Sequence, residues 1–380
     1  MPRDLPTVMS LAELITPQLV AATLAPGSRR SQGAAGTPAV PRPSPHEAPR
    51  GLVPAAVLEM ARVHGVMALL PDDAPWGDHA REARREGLAR YVRALADLRA
   101  AQGALDAAGV GAALVKGVVL ARELYPRPDL RPFADADLLV SPSRLGDALE
   151  ALEAVGGVCL VKDWGLMMRL ALAEIVLTLP AGTQVDLHWS LVNRPGPRQA
   201  LGFRSDELLA RARKTVLGHG LSTLDDVDAF VHVAWHCTHN GATRLLWLCD
   251  VELAARRIME SADELVTVAA ATRTSLAVAV ALDRAALVFP QGAAADLAGR
   301  LPPSWWRGLS KRCGRFLFAR PPGRRSGRAV ARATRQNTVS SLLALRVPLV
   351  THEDGPSVLA ENGDAGGRAD YVSWVKVAGR

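Results

Sequence analysis

Two aspartates two positions apart, Asp135 and Asp137, sit inside the apolar run from Phe133 to Val140. In a β-strand successive side chains alternate between faces, so both carboxylates project from the same one. Two like charges side by side resist ionisation unless a cation lies between them. A hard divalent ion, magnesium bridging to phosphate oxygens, is the natural partner for such a pair. Some fifty residues on, Val185-Asp186-Leu187-His188-Trp189 sets a third carboxylate in another strand-like run, where aspartate is disfavoured by propensity. Three acids on adjacent strands can hold two metal ions in the arrangement used for in-line phosphoryl or nucleotidyl transfer.

Positive groups precede the acids. The segment Leu114-Val115-Lys116-Gly117-Val118 reads as a strand running through a turn into a helix, where exposed amides and the helix dipole favour an anion and glycine lets a phosphate come close to the backbone. Lys116 and Arg131 are cations able to neutralise a triphosphate, and Arg122 lies one turn into the helix. His188 shares a strand face with Asp186, which leaves two roles open: orienting a ligand or the carboxylate, or packing as a structural histidine.

Other signals carry less. His232, His236 and His239 fall on one helical stripe, but two turns span about 10 Å, too far for all three to reach one zinc ion comfortably. Lining a cleft and plain packing both stay open for them. Asp250 and Arg244 read as a helix-to-helix pair or an acceptor contact, and Trp305-Trp306 as core or interface anchors. No Walker phosphate loop, nucleophile elbow or dinucleotide fingerprint occurs, which removes the commonest ATPase, hydrolase and dehydrogenase chemistries.

The elements that must position these residues follow from periodicity. Val53 to Leu70 and Gly77 to Ala108 are predicted helices, Ala112 to Val115 a short strand, and Val118 to Leu124 a helix. Phe133 to Val140 is a buried strand and a helix opens at Pro142-Ser143 and runs to Val155. Val158 to Val161, Glu174 to Leu179 and Gln184 to Trp189 are further strands, with Leu166 to Leu172 undetermined. Beyond Pro197, Ser205 to Ala212, Leu224 to His239, Arg244 to Ser261 and Ala262 to Val288 are predicted helices with few strand signals. The fold class is α+β, a small mixed sheet flanked by helices followed by an α-helical domain. The expected division is an extension with a Pro/Gly-rich linker over 1–52, a sheet-bearing domain over 53–200, a helical domain over 201–319 and a basic, largely disordered tail over 320–380. Ser10 to Thr23 reads as a helix broken near Pro17, and Tyr371 to Val377 as a weak strand.

Length and composition bound the class. A chain of 380 residues, 49% hydrophobic and 22% charged, can bury a large core without disulfides, and its four cysteines form no Cys-x-x-Cys pair. With a poor signal peptide and no apolar run long enough to span a bilayer, the reading is a cytoplasmic protein with no membrane partner. Most of the net charge of +7 comes from six arginines between Arg320 and Arg335, a run with no acid. It lacks the interleaved aromatics on which single-stranded bases stack. Contact with nucleic acid there would be salt-sensitive and sequence-blind, and no function is built on it.

The stretch Lys116-Gly117…Leu124-Tyr125-Pro126…Arg131…Asp135-Ala136-Asp137-Leu138-Leu139-Val140, with Val185-Asp186-Leu187-His188-Trp189 and the later Leu245-Leu246-Trp247-Leu248-Cys249-Asp250, resembles a nucleotidyltransferase family of the DNA polymerase β-like superfamily over residues 53 to 290. The superfamily usually carries Gly-Ser at the turn; here Lys116-Gly117-Val118 stands in its place, 18 positions before the first aspartate. The resemblance implies a mixed sheet, two magnesium ions on Asp135, Asp137 and Asp186, and a nucleoside triphosphate such as ATP beside Gly117, with Lys116, Gly117, Arg131 and His188 as nucleotide-binding residues. Asp135, Asp137 and Asp186 would then be the catalytic carboxylates, with Asp186 on the base side, in transfer of a nucleoside monophosphate to the hydroxyl of an unidentified small molecule, peptide or protein. The alternative is a catalytically silent scaffold of the same fold that binds a nucleotide or a partner protein.

Overall fold

The structure is a computed structural model that describes residues 8–20, 54–161, 163–314, 325–345 and 367–379. The predicted Pro/Gly-rich linker lies outside them. Chain order runs α1 (Val8–Val20), α2 (Pro54–His64), α3 (Gly77–Ala107), β1 (Ala112–Leu114), α4 (Val118–Glu123), β2 (Asp135–Val140), α5 (Leu145–Ala154), β3 (Val158–Cys159), α6 (Trp164–Arg169), β4 (Glu174–Thr178) and β5 (Gln184–His188). It continues through α7 (Pro195–Ala200), α8 (Ser205–Ala210), β6 (Arg213–Lys214), β7 (Ser222–Thr223), α9 (Asp226–His239), α10 (Leu245–Arg257), α11 (Ala262–Ala271), α12 (Ser275–Val288), α13 (Ala293–Ala298) and α14 (Trp305–Gly314). Three further helices, α15 (Arg325–Arg332), α16 (Thr338–Ala344) and α17 (Arg368–Ala378), complete the described chain.

Seven strands form one mixed sheet in the order β3-β4-β5-β2-β1-β7-β6. The β2–β5 and β1–β7 pairs are parallel and the rest antiparallel. Alternation divides the sheet cleanly. Ala112, Leu114, Ala136, Leu138, Val140, Ile175, Leu177, Val185 and Leu187 all enter the main core. The opposite parity of β1 and β2 supplies Ala113, Val115 and Leu139 to a smaller apolar cluster with Leu191, Leu208 and Leu224. Asp135 and Asp137 share the parity of Leu139, so the acids continue the face on which that small cluster ends. Opposite this edge α9, α10 and α12 pack against one another.

The structure corrects the sequence reading in several places. Helix α1 runs through Pro17 without a break. Proline there forfeits one backbone hydrogen bond, at a typical cost of about 3 kcal/mol, but Leu11, Ile15 and Leu19 are fully buried where α1 meets α2, α10 and α12, and that burial offsets it. Strands β6 and β7, which the sequence reading does not contain, extend the sheet beyond β1; two-residue strands leave no periodicity to read. The undetermined segment from Leu166 is the helix α6. Ala262 to Val288 is two helices, parted where Arg273 takes a φ of +57°. The predicted weak strand at Tyr371 to Val377 is the helix α17, whose Tyr371 and Val375, one turn apart, are both fully buried. Part of the expected disordered tail is likewise helical: α15, carrying three of the six clustered arginines, packs on α9 and α14. No helix among the described residues is long and apolar enough to cross a membrane.

Candidate active site

The parallel pairing of β2 with β5 sets Asp137 directly opposite Asp186, and the antiparallel pairing of β5 with β4 sets His188 opposite Glu174. Asp135 lies two residues before Asp137 on the same face. One end of β1 is pinned beside this row, because the Val115 amide donates to the Asp137 carbonyl at 3.0 Å. Lys116 is therefore delivered onto Asp137, with Nζ 2.5 Å from Oδ1. The same Oδ1 lies 3.0 Å from His188 Nε2. Asp137 is 1% exposed, and its second oxygen, Oδ2, is buried without a hydrogen-bond partner among the described residues, as is His188 Nδ1. Asp137, Asp186 and His188 each offer a ligand atom within 4.8 Å of the others, a group able to hold a metal ion.

The charges explain the protonation states. At Asp137 burial opposes ionisation, but Lys116 and His188 outweigh it and hold the carboxyl well below the usual range. Asp135 is raised, by burial and then by the charge of Asp137. Asp186 is raised furthest, to about 7, by burial and then by repulsion from Glu174, Asp137 and Asp135. Four carboxylates thus face one lysine. A divalent cation would complete the balance, and an orphaned carboxylate oxygen at the hub is what such an ion would satisfy. The donor set fits a metal.

This row forms one wall of a cavity of about 370 Å³. The facing wall is the α9 stripe: His232, Trp235, His236 and His239 all line it. The indole of Trp235 stacks on the His239 ring at 4.9 Å. Burial keeps His232 neutral, its pKa pushed down to about 3 with Lys116 adding to the effect, and drives His236 well below the ordinary imidazole value. Cleft lining, one of the two readings open for this stripe, is where the structure puts it. The neutral imidazoles of His232 and His236 and the Trp235 indole therefore face the carboxyl row across the cavity.

Not every predicted residue reaches it. Lys116, Asp135, Asp137, Asp186 and His188 line the cavity; Gly117 and Arg131 do not. Gly117 adopts a φ of +62°, and a Cβ there would stand 2.5 Å from the Asp135 carbonyl oxygen. Glycine there lets the turn lie flat against β2. Arg131 is buried and spends its charge on Asp250, with Nε and Nη2 donating to the two carboxylate oxygens at 2.8 Å each. Its Nη1 donates to the Gly117 carbonyl at 3.3 Å, and the Tyr125 hydroxyl donates to Asp250 at 2.8 Å. Arg131 thus fixes the turn behind Lys116, and Asp250 pairs with Arg131 rather than with Arg244. Of the tryptophan pair, Trp306 is fully buried and Trp305 exposed.

Sequence reasoning missed Glu174 and Arg194, which also line the cavity. The signal for Glu174 was an acid heading an otherwise apolar strand, whose alignment with His188 depends on a register that the sequence does not print.

A mixed sheet with carboxylates on adjacent parallel strands, facing a helical wall, is an arrangement suited to metal-dependent group transfer. Residues 54–290 match the model of a family described as uncharacterised nucleotidyltransferase, and the chain belongs to that family. No curated protein and no solved structure matches the chain.

Proposed function

We propose that the protein transfers a nucleoside monophosphate from a nucleoside triphosphate, such as ATP, to an acceptor hydroxyl, with two magnesium ions as cofactor. The observation that carries this reading is the convergence of Asp135, Asp137 and Asp186 on one cavity wall with a buried, unpartnered carboxylate oxygen at its hub. In this reading Asp137 and Asp186 hold metal from the two facing strands, and Asp135 adds a carboxylate from the same face of β2. Bound metal neutralises charge on the triphosphate and lowers the pKa of the acceptor hydroxyl. Asp186 is the carboxylate on the base side, taking the hydroxyl proton. Lys116 and Arg194 supply positive charge beside the polyphosphate, and His188 orients Asp137 through its Nε2 contact. The planar α9 rings, with His232 and His236 held neutral by burial, suit the nucleoside or the acceptor and leave ionic recognition to the sheet side. Pyrophosphate is the leaving product, so one phosphoanhydride bond breaks as one phosphoester bond forms.

The test is a titration of magnesium with each of ATP, GTP, CTP and UTP, reading pyrophosphate release and thermal shift together in the wild type and in an Asp135→Asn/Asp137→Asn double variant. Metal-dependent stabilisation or turnover that the double variant loses supports the reading and names the base. A wild type that responds to no nucleotide with metal present refutes it, and the silent-scaffold alternative takes its place.

A further inference from the structure

Lys116 occupies ground that a metal ion would need. Its ammonium sits 2.5 Å from Asp137 Oδ1, the oxygen that also meets His188. Asp135 and Glu174 act on the same ammonium from the cavity wall. No other lysine or arginine is ion-paired to Asp135, Asp137 or Asp186 among the described residues. A compact, strongly hydrated ammonium on a four-carbon stem is the cation best able to leave such a position without moving the backbone, and the backbone here is held: Val115 is bonded to Asp137, and Gly117 is wedged against Asp135 and tied to Arg131. The side chain is 22% exposed on the cavity side, whereas Asp137 is 1% exposed. The fixed members are thus the carboxylate and the turn, and the free member is the lysine stem.

We propose that Lys116 is an internal stand-in cation: it neutralises the carboxylate wall in the metal-free protein, and metal loading displaces its ammonium from Asp137 into the cavity, where it meets the polyphosphate. The inference rests on the metal-dependent reading above. It makes metal and triphosphate bind cooperatively, since the ion that releases the lysine also creates the cationic partner for the anion. It also gives the Lys-Gly turn a role that a Gly-Ser turn cannot fill, because serine carries no charge to exchange.

Lysine reactivity reads the displacement directly. The full-length wild type is pulsed with acetic anhydride and Lys116 acetylation measured by mass spectrometry in three states: metal-free, with Mn2+ alone, and with Mn2+ plus inorganic tripolyphosphate. The expected order is slow, at least fivefold faster, and slow again. A Lys116→Met variant, titrated with Mn2+ calorimetrically, should bind the ion at least tenfold more tightly than wild type and lose the enhancement that tripolyphosphate gives. Mn2+ binding to wild type with no change in Lys116 reactivity overturns this proposal and leaves the metal-dependent reading standing. Failure of Mn2+ to bind either protein overturns both.

Discussion

Asp186 is where the site's electrostatics become measurable. Its carboxyl is raised to about 7 by burial and then by Glu174, Asp137 and Asp135, against 3.8 for an unperturbed aspartate. Between those values the unfolded chain has released a proton that the native protein keeps, so native stability falls as pH rises across the window. Asp137 has the opposite sign: its native carboxyl titrates below the ordinary value, and its contribution is present above that value and lost as pH falls below it. His64, His232 and His236, held neutral by burial, act in the opposite sense as pH rises through the ordinary imidazole range, so the Asp186 contribution is read as a difference between variants. From pH 5.5 to pH 8 the metal-free Tm of Asp186→Asn should rise relative to that of the wild type, and magnesium should narrow that divergence by supplying positive charge beside the wild-type carboxylate. Melts in EDTA check this, and a Tm difference between the two proteins that does not change over that range would contradict it. At this scale the sequence was informative where chemistry conflicts with propensity: aspartates inside apolar strands stand out, and period-two alternation puts Asp135 with Asp137 and Asp186 with His188. It was uninformative where a partner lies far along the chain. Arg131 looked like a phosphate cation because its neutralising acid, Asp250, is 119 residues away.

Between elements, that same ion pair joins the β1–α4 turn and the loop before β2 to α10. Arg131 and Asp250 are 7% and 3% exposed, and removing one partner of a buried pair strands the other charge, typically at 3–5 kcal/mol. Asp250→Ala should lower stability by about that amount. An Arg131→Met/Asp250→Leu double variant should recover much of the loss, because apolar groups of similar size need no counter-charge. Denaturant unfolding of the two proteins decides it: a double variant no more stable than Asp250→Ala would show that the pair contributes shape rather than charge balance. The double variant should still bind tripolyphosphate less well than wild type, since the Gly117 carbonyl loses the donor that holds the Lys116 turn. Elements of this length were readable. The central strands and most long helices follow from periodicity, with boundaries displaced by a residue or two, although the helix predicted over Val53 to Leu70 ends at His64 and the one over Arg244 to Ser261 ends at Arg257. The edge strands β6 and β7 were not, because β7 takes its place from a parallel pairing with β1 at Leu114 and Thr223, a contact between segments 109 positions apart.

Across the whole molecule, segments beyond the 54–290 family match hold the site from outside. The Tyr371 hydroxyl on α17 accepts from Trp189 Nε1 at 2.9 Å and donates to the Leu172 carbonyl at 2.6 Å, and Trp374 meets Trp189 edge-on with ring centroids 5.8 Å apart. Trp189 follows His188 directly, and its amide bonds the Ala173 carbonyl, the residue before Glu174. The helix therefore clamps the ends of β4 and β5 that carry Glu174 and His188. Composition concealed this, since a segment rich in small and polar residues gives no sign that one tyrosine and one valine find a buried seat. Tyr371→Phe leaves a buried indole N–H and a carbonyl without their partner, and should cost about 1–3 kcal/mol for each group left unsatisfied. Removing residues 367–380 takes away the packing as well and should cost more. If the clamp positions the site, the truncated protein should also bind Mn2+ several-fold more weakly, although every metal-ligand candidate is retained, and Tyr371→Phe should show a smaller loss of the same sign. A truncated protein that melts lower yet titrates Mn2+ like wild type would mean that α17 stabilises the sheet without holding its carboxylates in place.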